Sequence, residues 1–351
     1  MRTQLCALAA LLAASLPAQT VRQFEVPSNG ASFPTVSQSG LPLAGAPIRY
    51  QQIYKATDML GSVGRPVRIR GITLMASQSG QTPFSITLDL AIAHAASFAS
   101  AVFANNIRSD RLQILSQQTL QMPAPSVAGF SVNIPIPNGG EWLWNGVDDI
   151  VLDFRVISNG NGNQAFNYFF ETVVGATFAV QRIYAPGANS TVATIFQDGI
   201  GVRTRFDYVD GVVVPYGAGC PGQGNVVPEA GALGNPLVGT LGFAWLLTHA
   251  RPQEPVLLML GYSRTSWGGV PLPLDLTSAG APGCFLHTNP ILFFTAATSG
   301  GPGNGTATVP FPIPGITAYR GIQLTSQWLV VDDSVNSAGF VMSKPVLVVI
   351  G

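Results

Sequence analysis

Charge is the scarcest property of this chain. Only 10% of its 351 residues are Asp, Glu, Lys or Arg, against about 25% in ordinary soluble proteins. The 17 basic and 17 acidic residues cancel, and the basic ones form neither a run nor a stripe with interleaved aromatics. Nucleic acid and anionic membrane are therefore not expected as partners. The surface falls to Ser, Thr, Asn, Gln and backbone. Helical periodicity is nearly missing too: one stretch, AASFASAVFANN at residues 95–106, reads as a short helix. Without helical crossovers, antiparallel sheets are favoured over a parallel fold. No internal repeat of a solenoid or propeller type is present.

Cysteine is scarce as well, with three in all, and the N-terminus decides how to read them. MRTQLCALAALLAASLPAQT has a basic Arg2, an apolar run at residues 5–16 and a small-residue exit at Pro17, Ala18 and Gln19. That is the layout of a secretory signal peptide, residues 1–19, cut after Ala18 or Gln19. The run is too short for a bilayer core of roughly 30 Å, so no transmembrane segment is expected in the mature chain. Cys6 leaves with the signal. Cys220 and Cys284 stay, each set among glycine and proline in YGAGCPGQG and GAPGC. In an oxidising compartment a disulfide between them is expected, two free thiols being the other reading. Closing so long a loop would be worth about 4 kcal/mol in the chain-entropy model. Neither cysteine has a second ligand at short spacing and His287 alone makes no site, so neither metal nor cofactor is expected.

What is plentiful is turn chemistry and alternation. The 39 glycines and 27 prolines are spread along the whole length, where they punctuate turns and disfavour helix. In FSITLDLAIAH, Phe84, Ile86, Leu88, Leu90 and Ile92 share one face. FSVNIPI groups Phe130, Val132, Ile134 and Ile136; IVLDFRV groups Ile150, Leu152, Phe154 and Val156. Such alternation marks strands with one face in a core. In VRIRGITLM the apolar phase shifts across Gly71, which predicts a bulge. LGFAWLL, VLLML, WLVV and VLVVI repeat the pattern later. The expected fold class is all-β: two antiparallel β-sandwich domains, jelly-roll-like, in tandem after the signal peptide. The first covers residues 20–209 and the second 210–351, with the boundary near YVDGVVVPYGAGCPG. Both bridge cysteines fall in the second, smaller domain, which gains more from a staple.

Several stretches carry a resemblance. RYQQIY (residues 49–54), VRIRGITLMA, FSITLDLAIAHA, FANN and WNGVDDIVLDFRV resemble the N-terminal β domain of secreted bacterial proteins that often end in a PEP-CTERM sorting tail. YGAGCPG, GVPLPLDLTSAGAPGC, IPGITAYRGIQLTSQW and SAGF resemble a C-terminal domain common in secreted proteins of planctomycete-type bacteria. The resemblance implies export and a β fold, and it carries no catalytic residue across. The chain departs from the first group at SKPVLVVIG, which has neither apolar helix nor basic tail.

Residues for chemistry are few. His94, His249 and His287 lie far apart and no GxSxG elbow accompanies them, which weakens a triad. His94 continues the inward parity of its strand and reads as a buried, hydrogen-bonded histidine. Asp148 and Asp149 read as turn residues, and Asp153 as the partner of Arg155 on the outward face. Asp332 and Asp333 read as turn residues too. Paired carboxylates can hydrolyse glycosides, and either doublet could help hold calcium, although neither matches a calcium-loop spacing. No catalytic residue is assigned. Trp142 and Trp144 in GGEWLWNG share parity, and either fill the core or form a sugar-stacking platform. Trp267, beside Arg264 in SRTSWGG, falls in a loop sequence and is expected to be exposed. Asn189 and Asn304 fit the N-x-S/T pattern. Three functions are open. The first is a secreted structural or adhesive protein of the cell surface or matrix, without catalysis, in contact with cell-envelope components. The second is a binder of neutral extracellular polysaccharide through Trp142, Trp144, Trp267 and Arg264. The third is a secreted glycoside or ester hydrolase.

Overall fold

The computed structural model describes residues 21–28, 35–78, 81–96, 99–124, 127–137, 140–162, 168–175 and 179–351. The signal-peptide reading of residues 1–19 lies outside them. The chain is all-β, and its strand ladders are antiparallel. Up to Val209 the strands form one sheet of eight and one of six. In the smaller, Ile48–Tyr54 and Phe84–His94 flank Ile150–Asn159. In the larger, Val67–Ala76 is central, with Thr204–Val209 on one edge and Gly129–Pro135 and Trp142–Trp144 on the other.

One apolar cluster joins the two sheets. Ile150, Leu152, Phe154 and Val156 of one, and Ile69, Ile72, Val132, Ile134 and Phe206 of the other, are all buried in it. Tyr54 crosses the gap: its ring meets Phe206 edge-on at 5.8 Å and its hydroxyl donates to the Val202 carbonyl at 3.1 Å. The alternation in the sequence is thus the inner face of a sandwich. The bulge near Gly71 is present: Asp207 faces Gly71 and Tyr208 faces Ile69, leaving Arg70 as the extra residue.

Two expectations need correcting. The described part of residues 95–106 forms no α-helix and ends in a single 3₁₀ turn, Phe103–Asn106. Phe103 donates instead to the Thr191 carbonyl (3.1 Å), and Ala193 to that of Ala101 (2.8 Å). Phe103 and Asn106 are fully buried, and Asn106 donates to Gln51 at 2.9 Å. Covering the sheet outweighs local helix propensity. The described α-helix is Ala56–Ser62, whose first N–H is capped from afar by Asp149 at 2.8 Å. Secondly, Asp153 does not pair with Arg155. It is buried and held by Arg49 (3.2 and 3.3 Å) and Gln51 (3.1 Å), while Arg155 reaches Asp89 at 3.4 Å. Gln51 lies directly across from Asp153 and Asp89 from Arg155. A residue directly across a ladder is closer than the next same-face residue along the strand.

From Val212 onward, a six-stranded and a three-stranded sheet enclose a second cluster that includes Trp245, Leu258, Trp328 and Val348. Among the described residues no ladder joins a strand before Val209 to one after Val212. The halves meet at Asp210, a buried carboxylate held by Arg65 (2.9 and 3.1 Å) and Arg22 (3.4 Å). Leu143 also packs on Val212, Val214, Leu347 and Val349. Cys220 and Cys284 are bonded to each other across 64 residues of sequence, as their setting predicted.

Candidate functional site

Trp142 and Trp144 make no exposed platform. Both rings are buried, and their indole N–H groups donate inward, to the carbonyls of Asp110 (3.2 Å) and Asp148 (2.8 Å). Their shared parity is the cause: they lie opposite Ile69 and Val67, whose side chains face the core. Of the four residues assigned to a ligand, Trp267 and Arg264 remain at the surface, and both belong to one loop of the C-terminal half.

That loop is built on a buried asparagine. Asn289 accepts the N–H groups of Tyr262 (2.8 Å) and Ser263 (2.6 Å) on one side-chain oxygen and donates its own N–H to Ser263 (3.0 Å). Gly261 must be glycine here, since a Cβ would come within 2.0 Å of the Asn289 carbonyl oxygen. Beyond it, Ser266–Trp267 pairs with Val270–Pro271 around Gly268 and Gly269, whose φ values are +56° and +86°. Positive φ at both central residues is the tight hairpin turn that glycine supplies without strain. Trp267 stands 41% exposed on this hairpin, with Tyr262 at 67%.

Arg264 lies over the Tyr216 ring, 5.8 Å from its centroid. Tyr216 donates its hydroxyl to the His287 carbonyl at 3.1 Å, and burial raises its pKa well above the ordinary value. His287 donates its N–H to the fully buried Gln327 (2.8 Å) and accepts that of Ala218 (3.5 Å) on Nε2. Burial lowers its pKa. The Cys220–Cys284 bridge ties the Tyr216–Ala218 segment to the His287 segment. The staple therefore sets the floor under Arg264.

His94 and the carboxylates singled out in the sequence are already engaged. His94 is buried, with Nδ1 2.5 Å from the Asp110 carboxylate and Nε2 accepting the Asn145 N–H at 3.1 Å. Burial lowers its pKa despite Asp110. With both ring nitrogens engaged, it has no free lone pair to serve as a general base. Asp148 meets Arg108 at 2.6 Å and Asn145 at 2.7 Å; Asp149 meets Lys55 at 2.9 Å. A small cleft opens between Gln223, His249, Arg251 and Asp332. Its buried Asp332 accepts from the Gln223 N–H (2.8 Å), the Ser334 hydroxyl (2.7 Å) and Arg251 (3.1 Å). Burial works to raise the Asp332 pKa, but these donors bring it below the usual carboxylate value. Arg251 also meets Asp333 at 2.6 Å and Glu254 at 3.0 Å. Among the described residues, no three His, Cys, Asp or Glu side chains gather as a metal site needs.

No family model and no curated protein matches the chain. Among solved structures, the T=3 Penaeus vannamei nodavirus determined by cryo-EM is similar at 8% identity, over 99% of this chain and 96% of that one. Its TM-score is 0.15, too low to carry an argument about fold or function.

Sequence reasoning missed the exposed apolar residues that adjoin the base of the Trp267 loop. Ile291, Leu292 and Phe293 are 51%, 49% and 56% exposed. They adjoin the Tyr262 loop through Asn289 and through the Ile291 N–H, which donates to the Leu260 carbonyl at 2.8 Å. A signal was present: from Asp275 to Arg320 the chain carries no other Asp, Glu, Lys or Arg.

Proposed function

We propose that the protein is a secreted structural or adhesive β protein of the cell surface or extracellular matrix, built of two sandwich domains at residues 20–209 and 210–351. Its contact surface is the uncharged end of the C-terminal domain. The observation that carries this reading is the exposure of Tyr262 and Trp267 on one loop and of Ile291, Leu292 and Phe293 on the segment bonded to its base. Soluble monomers seldom expose large apolar side chains together, and where they do the patch marks an interaction site. The frame beneath is fixed by Asn289 and the Cys220–Cys284 bridge. That bridge and the N-terminal residues 1–19 support export, since disulfides persist in oxidising compartments. The resemblance to exported bacterial β proteins points the same way.

A second reading is favoured by one feature, the pairing of exposed Trp267 with Arg264 in a single loop. An aromatic face can stack on a sugar ring while guanidinium donors take its hydroxyls, so a neutral polysaccharide is a fitting ligand.

Retention of the purified protein on cell-envelope fractions and on a polysaccharide panel, with assay for released sugar or acid, tests both. Binding without product, weakened when Tyr262 and Trp267 are both replaced by Ser, is the expected result. Displacement by a soluble oligosaccharide would select the second reading. Product release would make the protein a hydrolase and end the proposal.

A further inference from the structure

The strand Leu292–Ala297 is the last of its sheet and pairs only with Pro255–Gly261 among the described residues. Its ladder runs from Pro255 opposite Ala297 to Leu260 opposite Leu292, and the Thr298 N–H donates to the Glu254 carbonyl at 2.9 Å. Antiparallel ladders alternate bonded and non-bonded pairs. Leu292, Phe294 and Ala296 therefore bond inward, while Phe293 and Thr295 turn their N–H and C=O groups to the open side. No described residue bonds them there.

Proteins usually blunt such an edge with charge, proline, a bulge or a cover, and several other described edges do so. Arg22–Val26 carries Arg22 and Glu25, Ile195–Asp198 ends in Asp198, and Glu229–Leu233 begins with Glu229. Leu112–Met122 is broken at Gln117, where φ is +47° and the ladder shifts. Gly305–Pro310 ends in proline, and Val212–Pro215 lies under Leu143. Leu292–Ala297 carries no charge and no proline, and its ladder has no bulge; the chain folds back beside it only past its end, where Ser299 and Thr306 exchange hydrogen bonds (2.8 and 2.7 Å).

Its side chains are also graded in size. Ile291, Leu292 and Phe293 are bulky; Thr295, Ala296 and Ala297 are small. Pairing with an identical strand about a twofold axis at Phe294 places Phe293 opposite Thr295, Leu292 opposite Ala296 and Ile291 opposite Ala297. Each of these three bulky residues meets a small one, Phe294 meets its own copy on the axis from the half-buried inner face, and no like charges face each other. In that register Phe293 and Thr295 also exchange both of their open backbone groups with the partner strand.

We infer that two copies of this chain join edge to edge through Leu292–Ala297, antiparallel and centred on Phe294, making one continuous sheet across the pair. The inference deepens the adhesive reading and rests on it in treating the uncharged end as a contact surface.

Sedimentation of the purified protein over a wide concentration range tests it, with charged variants fixing the register. Phe293→Asp and Thr295→Lys, each alone, put an unpaired charge into the contact and are expected to weaken self-association by at least about tenfold. Combined in one chain, they face each other twice across the twofold axis and should restore association. Both sites are on the outward face, so circular dichroism should show each variant folded. A protein that stays monomeric at every concentration overturns the inference. So does association that ignores the single charges, or that the double variant fails to restore. Failure here with binding to envelope or polysaccharide intact leaves the adhesive reading standing. Self-association in the stated register with no such binding leaves this inference standing alone.

Discussion

The two halves hold their sandwiches together by different means. The N-terminal half spreads cross-strand ion pairs over its sheets: Arg49 with Asp153, Arg155 with Asp89, and Arg203 with Glu25 and Glu171. The C-terminal half gathers its charge around Arg251 and adds the Cys220–Cys284 bridge. The buried tryptophans follow the same division. Those of the first half find carbonyl acceptors, whereas the Trp245 and Trp328 indole nitrogens are buried with no partner. An unmet buried donor costs about 1–3 kcal/mol.

The comparison breaks most visibly if the bridge is cut. Replacing Cys220 and Cys284 by Ser should lower the stability of the C-terminal half by about 4 kcal/mol in the chain-entropy model. The N-terminal half should hold its own. Denaturant titration with and without reductant checks this, provided the two transitions separate, and equal losses in both halves would contradict it. In the first half a large loss is expected from Asp153→Ala. That change strands the Arg49 guanidinium and one Gln51 amide donor against a buried site, at a cost of about 3 kcal/mol. Asp333→Ala, at an exposed carboxylate whose Arg251 partner keeps Asp332 and Glu254, should change stability far less.

Acid sharpens the contrast on a smaller scale. The unfolded chain takes a proton on each histidine as pH falls through about 6.5. Folded His94 resists it, because burial lowers its pKa among Asp110, Asp148 and Arg108. Stability is therefore full above that pH and declines below it, by at most about 1.4 kcal/mol per pH unit for one histidine. His287 adds a similar decline in the C-terminal half. Asp332, whose folded pKa is lowered, stabilises that half until the pH reaches the carboxylate range. Denaturation midpoints between about pH 7.5 and 5.5 should fall in both halves. His94→Gln should flatten the response of the first half alone; an unchanged slope would mean that His94 is not its source.

Local alternation made the inner faces legible, since period two is a property of each strand by itself. That is why Phe84 to Ile92 and Ile150 to Val156 are buried as read, and why Gly71 betrayed its bulge. Pairings across the chain were not legible. Asp153 finds Arg49 from a strand about a hundred residues away, and the helix at Ala56 depends on a cap from Asp149. Residues 95–106 had helical character but a sheet to cover. At the candidate site, Trp267 and Arg264 could be placed because glycines and serines announce a loop. The open edge at Phe293 could not, because LFFTAA reads as an interior strand until its neighbours are known.

The smallest effect on stability is expected at Trp267, and it separates surface from core for one residue type. Trp144 fills the first half's core, so its removal belongs with the large losses. Trp267 stands on a two-glycine hairpin whose shape is set by Gly268 and Gly269 and whose base is held by Asn289. Both supports act on the backbone of the loop. Trp267→Ala should therefore leave the denaturation midpoint within about 0.5 kcal/mol of the parent while reducing retention on the envelope or polysaccharide matrix. If the variant unfolds early, the indole belongs to the fold and the hairpin is no contact surface. If it is stable and still retained, adhesion runs through Tyr262 and the Ile291–Phe293 surface without it.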